Sequence, residues 1–242
     1  MPAVATGTFS EAVHSLLGVR LSRKQVEAFA WLAEELISWN DRFNLTAITD
    51  PEQIEVKHFL DSLTCLTAMR PNPAGRVVDV GTGAGFPGLP LKIVLPQLQM
   101  TLVEATAKKA DFCRHVVSGL GLEGVQILHA RAEDVAHQPE HRQSYDWALA
   151  RAVAQMPVLV EYLLPFLKMG GRAVAQKGET GPEETHRAEP AIRHLGGRVE
   201  QILPVELPRV PDTRYLVILR KTAATPDEFP RRPGTPAKRP LT

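Results

Sequence analysis

The residues best suited to chemistry in this 242-residue sequence lie in one glycine-rich stretch. Residues 77–88 read V-V-D-V-G-T-G-A-G-F-P-G, a β-branched run followed by glycines at positions 81, 83, 85 and 88. A short apolar run bounded by glycines is typical of a buried strand. Because glycine lacks a Cβ, its backbone can turn sharply and approach another molecule closely. The stretch therefore predicts a strand that ends in a ligand-binding turn.

The prolines after this turn indicate the kind of ligand. Three of the glycines fit the dinucleotide pattern G-x-G-x-x-G, in which amides at a helix start hold a pyrophosphate. Pro87 and Pro90 fall in the first turn of the following helix and lack the amide hydrogens that would bind phosphate. A cofactor without phosphate does not need those donors. S-adenosylmethionine is such a cofactor, and its cationic sulfonium favours a nearby carboxylate, for which Asp79 is the candidate.

Acids after two later strands complete the predicted cofactor site. Residues 98–104 read as the next strand, and its carboxyl end is where α/β folds bind ligands. A carboxylate at that end can accept both ribose hydroxyls. A third strand, V-Q-I-L-H, is followed by an alanine and an acid that can frame and hydrogen-bond an adenine. The residues predicted in this way to hold the cofactor are Asp79, Gly83, Glu104, Ala132 and Glu133.

S-adenosylmethionine is a methyl donor, and the residues at the end of the predicted fourth strand restrict the kind of atom that could accept its methyl group. That end reads A-R-A-V-A, without the D-P-P-Y-like or N-P-P-Y-like motif used on exocyclic amines or the cysteine nucleophile that makes 5-methylcytosine. A ribose 2′-hydroxyl would need a Lys and Asp pair as general base, whereas Asp146 lies at the wrong end of this strand. A guanine N7 lone pair attacks without prior removal of a proton and needs only alignment. We therefore expect no general base.

Basic residues near the same edge of the sheet would hold RNA phosphate or a guanine edge. Arg151, Lys177 and Arg214 are the predicted residues for positioning the RNA and the base. Lys108 and Lys109 begin the helix after the second strand, where a solvated helix start explains them equally well.

These residues must be positioned by an α/β fold. From residue 76 onward strands alternate with helices, as a doubly wound, mainly parallel sheet requires, and the last two strands read as an antiparallel hairpin. This is the Rossmann-like arrangement of the S-adenosylmethionine-dependent methyltransferases. We expect Gly170 and Gly171 to end the helix after the fourth strand, and residues 179–194 to form one solvated helix.

The sequence predicts three parts. Residues 1–70 form an N-terminal helical extension packed on the core, in which Ser22 and Gln25 make a capping box and Pro51 starts another helix. Residues 71–222 form the methyltransferase domain. Residues 223–242 form a basic, proline-rich tail without apolar periodicity, which we expect to be extended and loosely packed.

Composition sets broader limits. An apolar content of 44%, a charged content of 23% and a net charge of +1 are ordinary for a globular domain. No apolar run approaches a membrane span and no signal peptide is evident, so we expect a cytoplasmic protein without membrane contact. We also expect a monomer with no obligate protein partner. Cys65 and Cys113 read as buried apolar filler, and the histidines lack metal-ligand spacing, so no metal is predicted.

Taken together, the motifs resemble those of the glucose-inhibited division protein B family, the bacterial small-subunit ribosomal RNA guanine-N7 methyltransferases. The resemblance covers nearly the whole chain, and W-N-D-R-F-N-L-T, K-H-F-L-D-S-L and P-R-R-P-G-T-P-A-K-R-P-L narrow it beyond methyltransferases in general. It implies methyl transfer to N7 of a guanine in 16S rRNA, with that RNA or a 30S-type particle as partner. It also implies that the residues around the cofactor are Gly81, Phe86, Glu104, Ala105, Thr106, Ala132, Glu133 and Arg151.

Two alternatives remain open at this point. A methyltransferase acting on a small molecule or a protein would need a closed apolar acceptor pocket and would have no use for the basic tail. A non-catalytic RNA-binding or cell-division regulator would keep the fold without the chemistry, although the intact acids argue against it. The sequence also leaves open whether Asn44 and His58 act on the base or only brace the N-terminal helices.

Overall fold

The computed structural model describes residues 6–70 and 73–241. The strands are β1 (Arg76–Val80), β2 (Gln99–Glu104), β3 (Val125–His129), β4 (Tyr145–Arg151), β5 (Leu167–Lys177), β6 (Gly197–Val205) and β7 (Arg214–Lys221). The α-helices are α1 (Thr6–Leu17), α2 (Arg23–Phe43), α3 (Pro51–Ile54), α4 (Asp61–Leu63), α5 (Cys65–Met69), α6 (Gly88–Val94), α7 (Ala107–Gly119), α8 (Ala132–Val135), α9 (Met156–Leu163), α10 (Gly181–Arg187), α11 (Glu189–His194) and α12 (Thr235–Lys238). A π-helix (Glu55–Leu60) joins α3 to α4, and a 3-10 turn (Leu164–Phe166) precedes β5.

All seven strands form one sheet in the order β3-β2-β1-β4-β5-β7-β6. The first five strands of the chain pair in parallel, and β7 runs antiparallel to both β5 and β6. The predicted doubly wound, mainly parallel sheet with a terminal antiparallel hairpin is confirmed. Strand order reverses between β1 and β4, and open α/β sheets bind ligands outside the carboxyl ends of the strands at such a point.

Helices cover both faces of this sheet, so its central strands are apolar on both sides. Val77 and Leu102 contribute to the buried cluster on one face, and Val78 and Val103 contribute to the cluster on the other. Successive residues of a strand point to opposite faces, which explains the division. The faces are occupied by packing, and the carboxyl-terminal edge is left for a ligand.

The N-terminal helices pack on one face of the sheet, where α2 contacts α6 and α7 and α5 contacts β5 and β7. The predicted capping box opens α2: Ser22 accepts a hydrogen bond from the Gln25 amide, and the Gln25 carboxamide accepts one from the Ser22 amide at 2.9 Å. Phe29 packs against the rings of Phe9 and Phe59 at centroid distances of 5.0 and 5.2 Å. These rings belong to the same buried cluster as apolar residues of β1 and β2. The division of the chain at residues 70 and 222 stays a prediction.

The helical run after Pro51 contains a change of helix type. Pro51 opens α3 as predicted, and the Asp50 side chain caps it by accepting a hydrogen bond from the Gln53 amide at 2.9 Å. The π-helix Glu55–Leu60 follows without a break. Such segments are rare and are frequent at functional sites. This one carries His58 to the carboxyl edge of the sheet, as described below.

Two predictions about the second half of the sheet are wrong. Gly170 and Gly171 lie within β5 rather than at a helix end, in a stretch where the pairing with β4 shifts register. Residues 179–194 form two helices, α10 and α11, instead of one. These helices are not fully solvated, because Glu184 and Ile192 are buried where α10 packs on α9 and α11 packs on β6.

The described part of the tail is packed against the domain, so the prediction of an extended, loose segment is also wrong. Phe229 is buried, and Arg142 donates hydrogen bonds to the backbone oxygens of Phe229 and Thr225 at 2.7 and 3.0 Å. Arg231 forms an ion pair with the fully buried Glu161 at 2.7 Å. The prolines prevent a long helix or a sheet strand, but they leave carbonyl oxygens free to bind side chains of the domain.

Candidate active site

Asp79, in β1, holds the glycine turn that follows the strand through hydrogen bonds from Thr82 and Gly88. This carboxylate is fully buried, and its Oδ2 accepts hydrogen bonds from Thr82 Oγ1 at 2.6 Å and from the Gly88 amide at 2.8 Å. Burial raises the pKa of Asp79 to about 6, and the two hydrogen bonds act in the opposite direction. Within the described residues Oδ1 has no hydrogen-bond partner. Asp79 therefore shapes the turn, and its place beside a cofactor cation stays a prediction.

Two glycines of the turn differ in what surrounds them. Gly81 and Gly83 both have positive φ values, +67° and +61°, which disfavour other residues. A Cβ on Gly81 would come within 2.8 Å of Val153 Cγ2, whereas a Cβ on Gly83 would meet nothing within 4 Å. Gly81 is therefore required by packing, and Gly83 faces open space beside the turn.

Glu104 closes the gap between the turn and the end of β2. Its Oε2 accepts a hydrogen bond from the Gly83 amide at 2.9 Å, and its Oε1 accepts one from the Thr106 amide at 2.7 Å. A carboxylate oxygen can accept about two hydrogen bonds, so each oxygen keeps capacity for a further donor. Ala105 and Thr106 are exposed beside it. This geometry suits the predicted reception of two ribose hydroxyls.

The predicted adenine residues lie at the start of α8, but the acid has an unexpected partner. Ala132 is half-buried at the edge, whereas the Glu133 side chain is buried. Glu133 Oε1 accepts a hydrogen bond from the amide of Gly234, in the tail, at 3.0 Å. An adenine contact from Glu133 stays a prediction, and the structure adds the connection to the tail.

Phe86, His58 and Arg151 form a layered group at the carboxyl edge. The imidazole of His58 stacks on the ring of Phe86 with centroids 4.7 Å apart and planes 5° from parallel. The guanidinium of Arg151 lies 5.2 Å from the Phe86 ring centroid, a cation–π distance. The structure therefore brings together a residue of the turn, a residue at the end of β4 and a residue of the π-helix.

The imidazole of His58 is neutral. Burial, followed by the neighbouring Arg151 cation, lowers the pKa of His58 to about 3. Arg151 Nη2 lies 3.1 Å from Nδ1, and Thr46 Oγ1 lies 2.8 Å from Nε2. Arginine can only donate, so we infer that Nδ1 accepts and that Nε2 carries the proton and donates to Thr46. Thr46, in the polar N-L-T segment, thereby fixes the orientation of the ring. A role of Asn44 or His58 at the base stays a prediction.

Arg151 is held on its other side by the N-terminal helices. Its Nη1 donates to Asp61 Oδ2 and to the Lys57 backbone oxygen, both at 2.9 Å. Gln176, paired with Arg151 across β4 and β5, donates through Nε2 to the Asp61 backbone oxygen at 2.6 Å. The sequence did not single out Gln176, since nothing in a strand pattern shows a contact with a helix more than a hundred residues away.

The two other predicted RNA-positioning residues differ in availability. Lys177 Nζ lies 2.7 Å from Glu184 Oε2 and donates to the Ala154 backbone oxygen at 3.0 Å, so its charge is paired within the domain. Arg214, at the start of β7, has a buried Nε without a hydrogen-bond partner in the described part of the chain. Among the described residues, neither side chain forms a hydrogen bond with His58, Phe86 or Arg151. Contact of Lys177 and Arg214 with RNA stays a prediction.

The cysteines are structural, as expected. Cys65 and Cys113 are buried, and burial raises the pKa of both thiols, so neither is a ready nucleophile. Cys113 donates weakly to the Gly83 carbonyl at 3.5 Å from beneath the turn. Across residues 6–70 and 73–241, no group of three or more His, Cys, Asp or Glu side chains is arranged to hold a metal ion.

The donor set fits an adenosine-containing cation better than a dinucleotide. At the start of α6 the Gly88 amide is bonded to Asp79, and Pro87 and Pro90 have no amide hydrogen, so few donors remain for a pyrophosphate. Acceptors dominate instead: Glu104 at the rim and the unbonded Oδ1 of Asp79 below it. The site can bind hydroxyl donors and a positive charge.

Comparison with known proteins identifies the family. The model of the family described as rRNA small subunit methyltransferase G matches residues 25–209. The chain belongs to this family. Proteins named ribosomal RNA small subunit methyltransferase G from Roseiflexus castenholzii and Pelotomaculum thermopropionicum are similar to it. The first is 50% identical over 224 residues, covering 93% of this chain and 95% of the relative. The second is 47% identical over 239 residues, covering 99% and 100%.

Two solved structures with low sequence identity share the fold. A methyltransferase of Aquifex aeolicus described as SAM dependent is 20% identical with a TM-score of 0.54, covering 72% of this chain and 94% of that one. The TYW2 protein of M. jannaschii, solved in complex with AdoMet, is 15% identical with a TM-score of 0.52, covering 66% and 74%. The predicted family resemblance and methyltransferase fold are confirmed.

Proposed function

We propose that this member of the methyltransferase G family transfers the methyl group of S-adenosylmethionine to N7 of a guanine in small-subunit (16S) ribosomal RNA. The family description and the names of its relatives support methylation of small-subunit rRNA. The observation that carries the N7 assignment is that three ionisable groups at this edge of the sheet, Asp61, Glu104 and His58, already have partners within the protein. Asp61 is paired with Arg151, Glu104 accepts two backbone amides, and His58 is neutral and hydrogen-bonded at both nitrogens. Such a site suits an acceptor that needs no general base.

S-adenosylmethionine supplies a methyl group activated by its cationic sulfonium. Glu104 would accept the ribose hydroxyls, with Ala105 and Thr106 beside it. Ala132, at the start of α8, would frame the adenine. Asp79 would place a buried carboxylate oxygen below the turn, where it favours the binding of a cation. Each of these roles is supported by the position of the residue at the carboxyl edge of β1, β2 or β3.

The layered group would orient the guanine. N7 attacks through its lone pair, so alignment with the methyl group is the main requirement. The purine becomes positively charged as N7 is methylated. A neutral His58 adds no second positive charge that would repel it. The charge of Arg151 is offset by Asp61 at 2.9 Å. These two residues would hold the base without repelling the product.

Cations around this edge would hold the RNA backbone. Arg214 is the freer of the two predicted contacts, whereas Lys177 would act only after leaving Glu184. The tail presents the exposed cations Lys238 and Arg239. Phosphate contacts give salt-dependent affinity without sequence specificity, which suits positioning of a structured RNA.

The test is methyl transfer from labelled S-adenosylmethionine to small ribosomal subunits from cells that lack the endogenous enzyme, followed by mapping of the modified base. We expect a single guanine methylated at N7. Subunits from cells that contain the enzyme serve as the control and should accept almost no label. A different modified atom would refute the N7 assignment alone, and a bound cofactor without transfer to RNA would refute the acceptor class.

We further propose that the protein acts as a cytoplasmic monomer without an obligate protein partner. Among the residues that the structure describes, no helix has the length and apolar character needed to cross a bilayer. Sedimentation of the purified protein across a tenfold concentration range should give one species of the mass of a single chain, 26.6 kDa.

A further inference from the structure

The tail connects two helices that border the active site. Its Gly234 amide donates to Glu133 of α8 at 3.0 Å. Its Arg231 donates to both carboxylate oxygens of Glu161 in α9, through Nε and Nη2, and the Arg231 amide donates to the same group at 2.7 Å. α8 follows β3 and α9 follows β4, so the tail spans the helices beyond the predicted adenine and acceptor ends of the sheet.

The two contacts are buried, which makes them specific. Glu161 is completely buried and Glu133 is 4% exposed. A buried carboxylate is costly unless donors satisfy it, and here the tail supplies donors to both. Burial also raises the pKa of Tyr162, the next residue after Glu161, to about 12, so its hydroxyl stays protonated. Without the tail, both acids would lose partners at once.

The rest of the tail is anchored independently of these contacts. Lys221 is buried at the base of the tail and donates to the backbone oxygens of Leu164 and Leu195 at 2.9 and 3.0 Å, and to Thr225. The His137 Nε2 lies 2.7 Å from the Pro230 backbone oxygen. Beyond these anchors, residues 231–239 make the contacts with Glu161 and Glu133, and α12 also packs on α9.

We propose that Arg231 and Gly234 are positioning residues of the cofactor site. By holding Glu161 and Glu133 they fix α9 and α8 relative to each other. A seated tail, meaning one in which both of these contacts are formed, therefore raises the affinity for S-adenosylmethionine. This rests on the proposed function for the location of the cofactor, and it assigns the tail a role distinct from RNA contact. Coupling of this kind is reciprocal, so bound cofactor must stabilise the seated tail by the same factor.

A matched pair of variants of the full-length protein tests the proposal. Arg231→Ala and Arg232→Ala each remove one positive charge from adjacent positions, but only Arg231 holds a buried acid, whereas the Arg232 side chain is exposed and makes no hydrogen bond or ion pair within residues 6–70 and 73–241. Titration calorimetry with S-adenosylmethionine should show at least a tenfold larger Kd for Arg231→Ala and less than a twofold change for Arg232→Ala. Equal affinities for wild type and a folded Arg231→Ala would overturn the proposal.

Hydrogen exchange on the wild-type protein gives a second test that needs no variant. Peptides covering residues 229–236 should exchange more slowly when S-adenosylmethionine saturates the protein, and unchanged exchange would also overturn the proposal. Its failure is distinguishable from that of the proposed function. Cofactor binding that responds to the tail, without methyl transfer to ribosomal RNA, would refute the acceptor and leave this proposal standing. A wild-type protein that does not bind S-adenosylmethionine would refute both.

Discussion

Replacing Glu104 with glutamine should weaken both the turn and cofactor binding. The carboxylate now accepts one backbone amide on each oxygen, from Gly83 and Thr106. Glutamine has one acceptor oxygen, so one amide would face an NH2 group and lose its bond. A hydrogen bond to a charged group contributes about 1.5–3 kcal/mol, which predicts a loss of about 2 kcal/mol in the free energy of unfolding. Loss of one ribose hydroxyl contact of the same size predicts a Kd for S-adenosylmethionine about 30 times larger.

Urea unfolding and titration calorimetry measure the two effects of Glu104→Gln separately. Glu206→Gln is the matched control, because Glu206 is an exposed acid between β6 and β7 that makes no hydrogen bond or ion pair in the described part of the chain. The control should leave both quantities unchanged. Wild-type affinity in Glu104→Gln, together with reduced stability, would show that the carboxylate only builds the turn and would refute its role toward the ribose.

Three further predictions follow from the site. Gly81→Ala should lower the free energy of unfolding in urea by about 1–3 kcal/mol more than Gly83→Ala does, because only a Cβ at position 81 clashes with a neighbouring side chain. Gly83→Ala should instead cause the larger loss of cofactor affinity. The pKa of His58 is lowered to about 3, below its unfolded value near 6.5, so the unfolded state binds more protons between these pH values and stability should fall as pH falls through that window. His58→Asn should show a flatter dependence by up to about 1.4 kcal/mol per pH unit. Arg214→Gln should raise the KM for RNA and reduce the slope of log affinity against log salt by about 1, with an unchanged Kd for S-adenosylmethionine.

Each of these three has a clear contrary result. Equal stability losses at Gly81 and Gly83 would mean that the turn relaxes around an added methyl group. Identical pH profiles for wild type and His58→Asn would show that the imidazole titrates normally in the folded protein. A salt slope unaffected by Arg214→Gln would place that guanidinium away from phosphate.

The parts of the site that follow from the sequence are those whose geometry is local. The glycine turn after β1 was predicted because positive φ values and a close backbone approach demand glycine within a few residues. Glu104 was predicted because ligands bind at the carboxyl ends of the strands in a parallel sheet, and Glu104 is the last residue of a strand that the sequence shows clearly. The mainly parallel sheet and the terminal hairpin were likewise predicted from the alternation of strands and helices along the chain.

The contacts that the sequence did not predict join residues far apart in the chain. Gln176 reaches Asp61 across 115 positions, and Glu133 reaches Gly234 across 101. Neither has a periodic or spacing signal, since each depends on how two finished elements pack. The π-helix around His58 was missed for a related reason: its hydrogen-bond pattern is set by the packing of its side chains, and its composition is that of an ordinary amphipathic helix. The tail was predicted to be loose because its proline-rich composition does not show that two buried acids of the domain, Glu133 and Glu161, accept hydrogen bonds from it.

The shared core of the N-terminal helices and the sheet has a consequence for how the chain folds during synthesis. Phe9 and Phe29 complete their packing in the same cluster as Met100 and Leu102, which are translated much later. At roughly 5–20 residues per second, the apolar faces of the first helices wait several seconds for the strands that cover them. The first 70 residues therefore cannot bury their own apolar surface when separated from the rest. A fragment ending there should be unfolded or aggregate, although its helices come first in the chain.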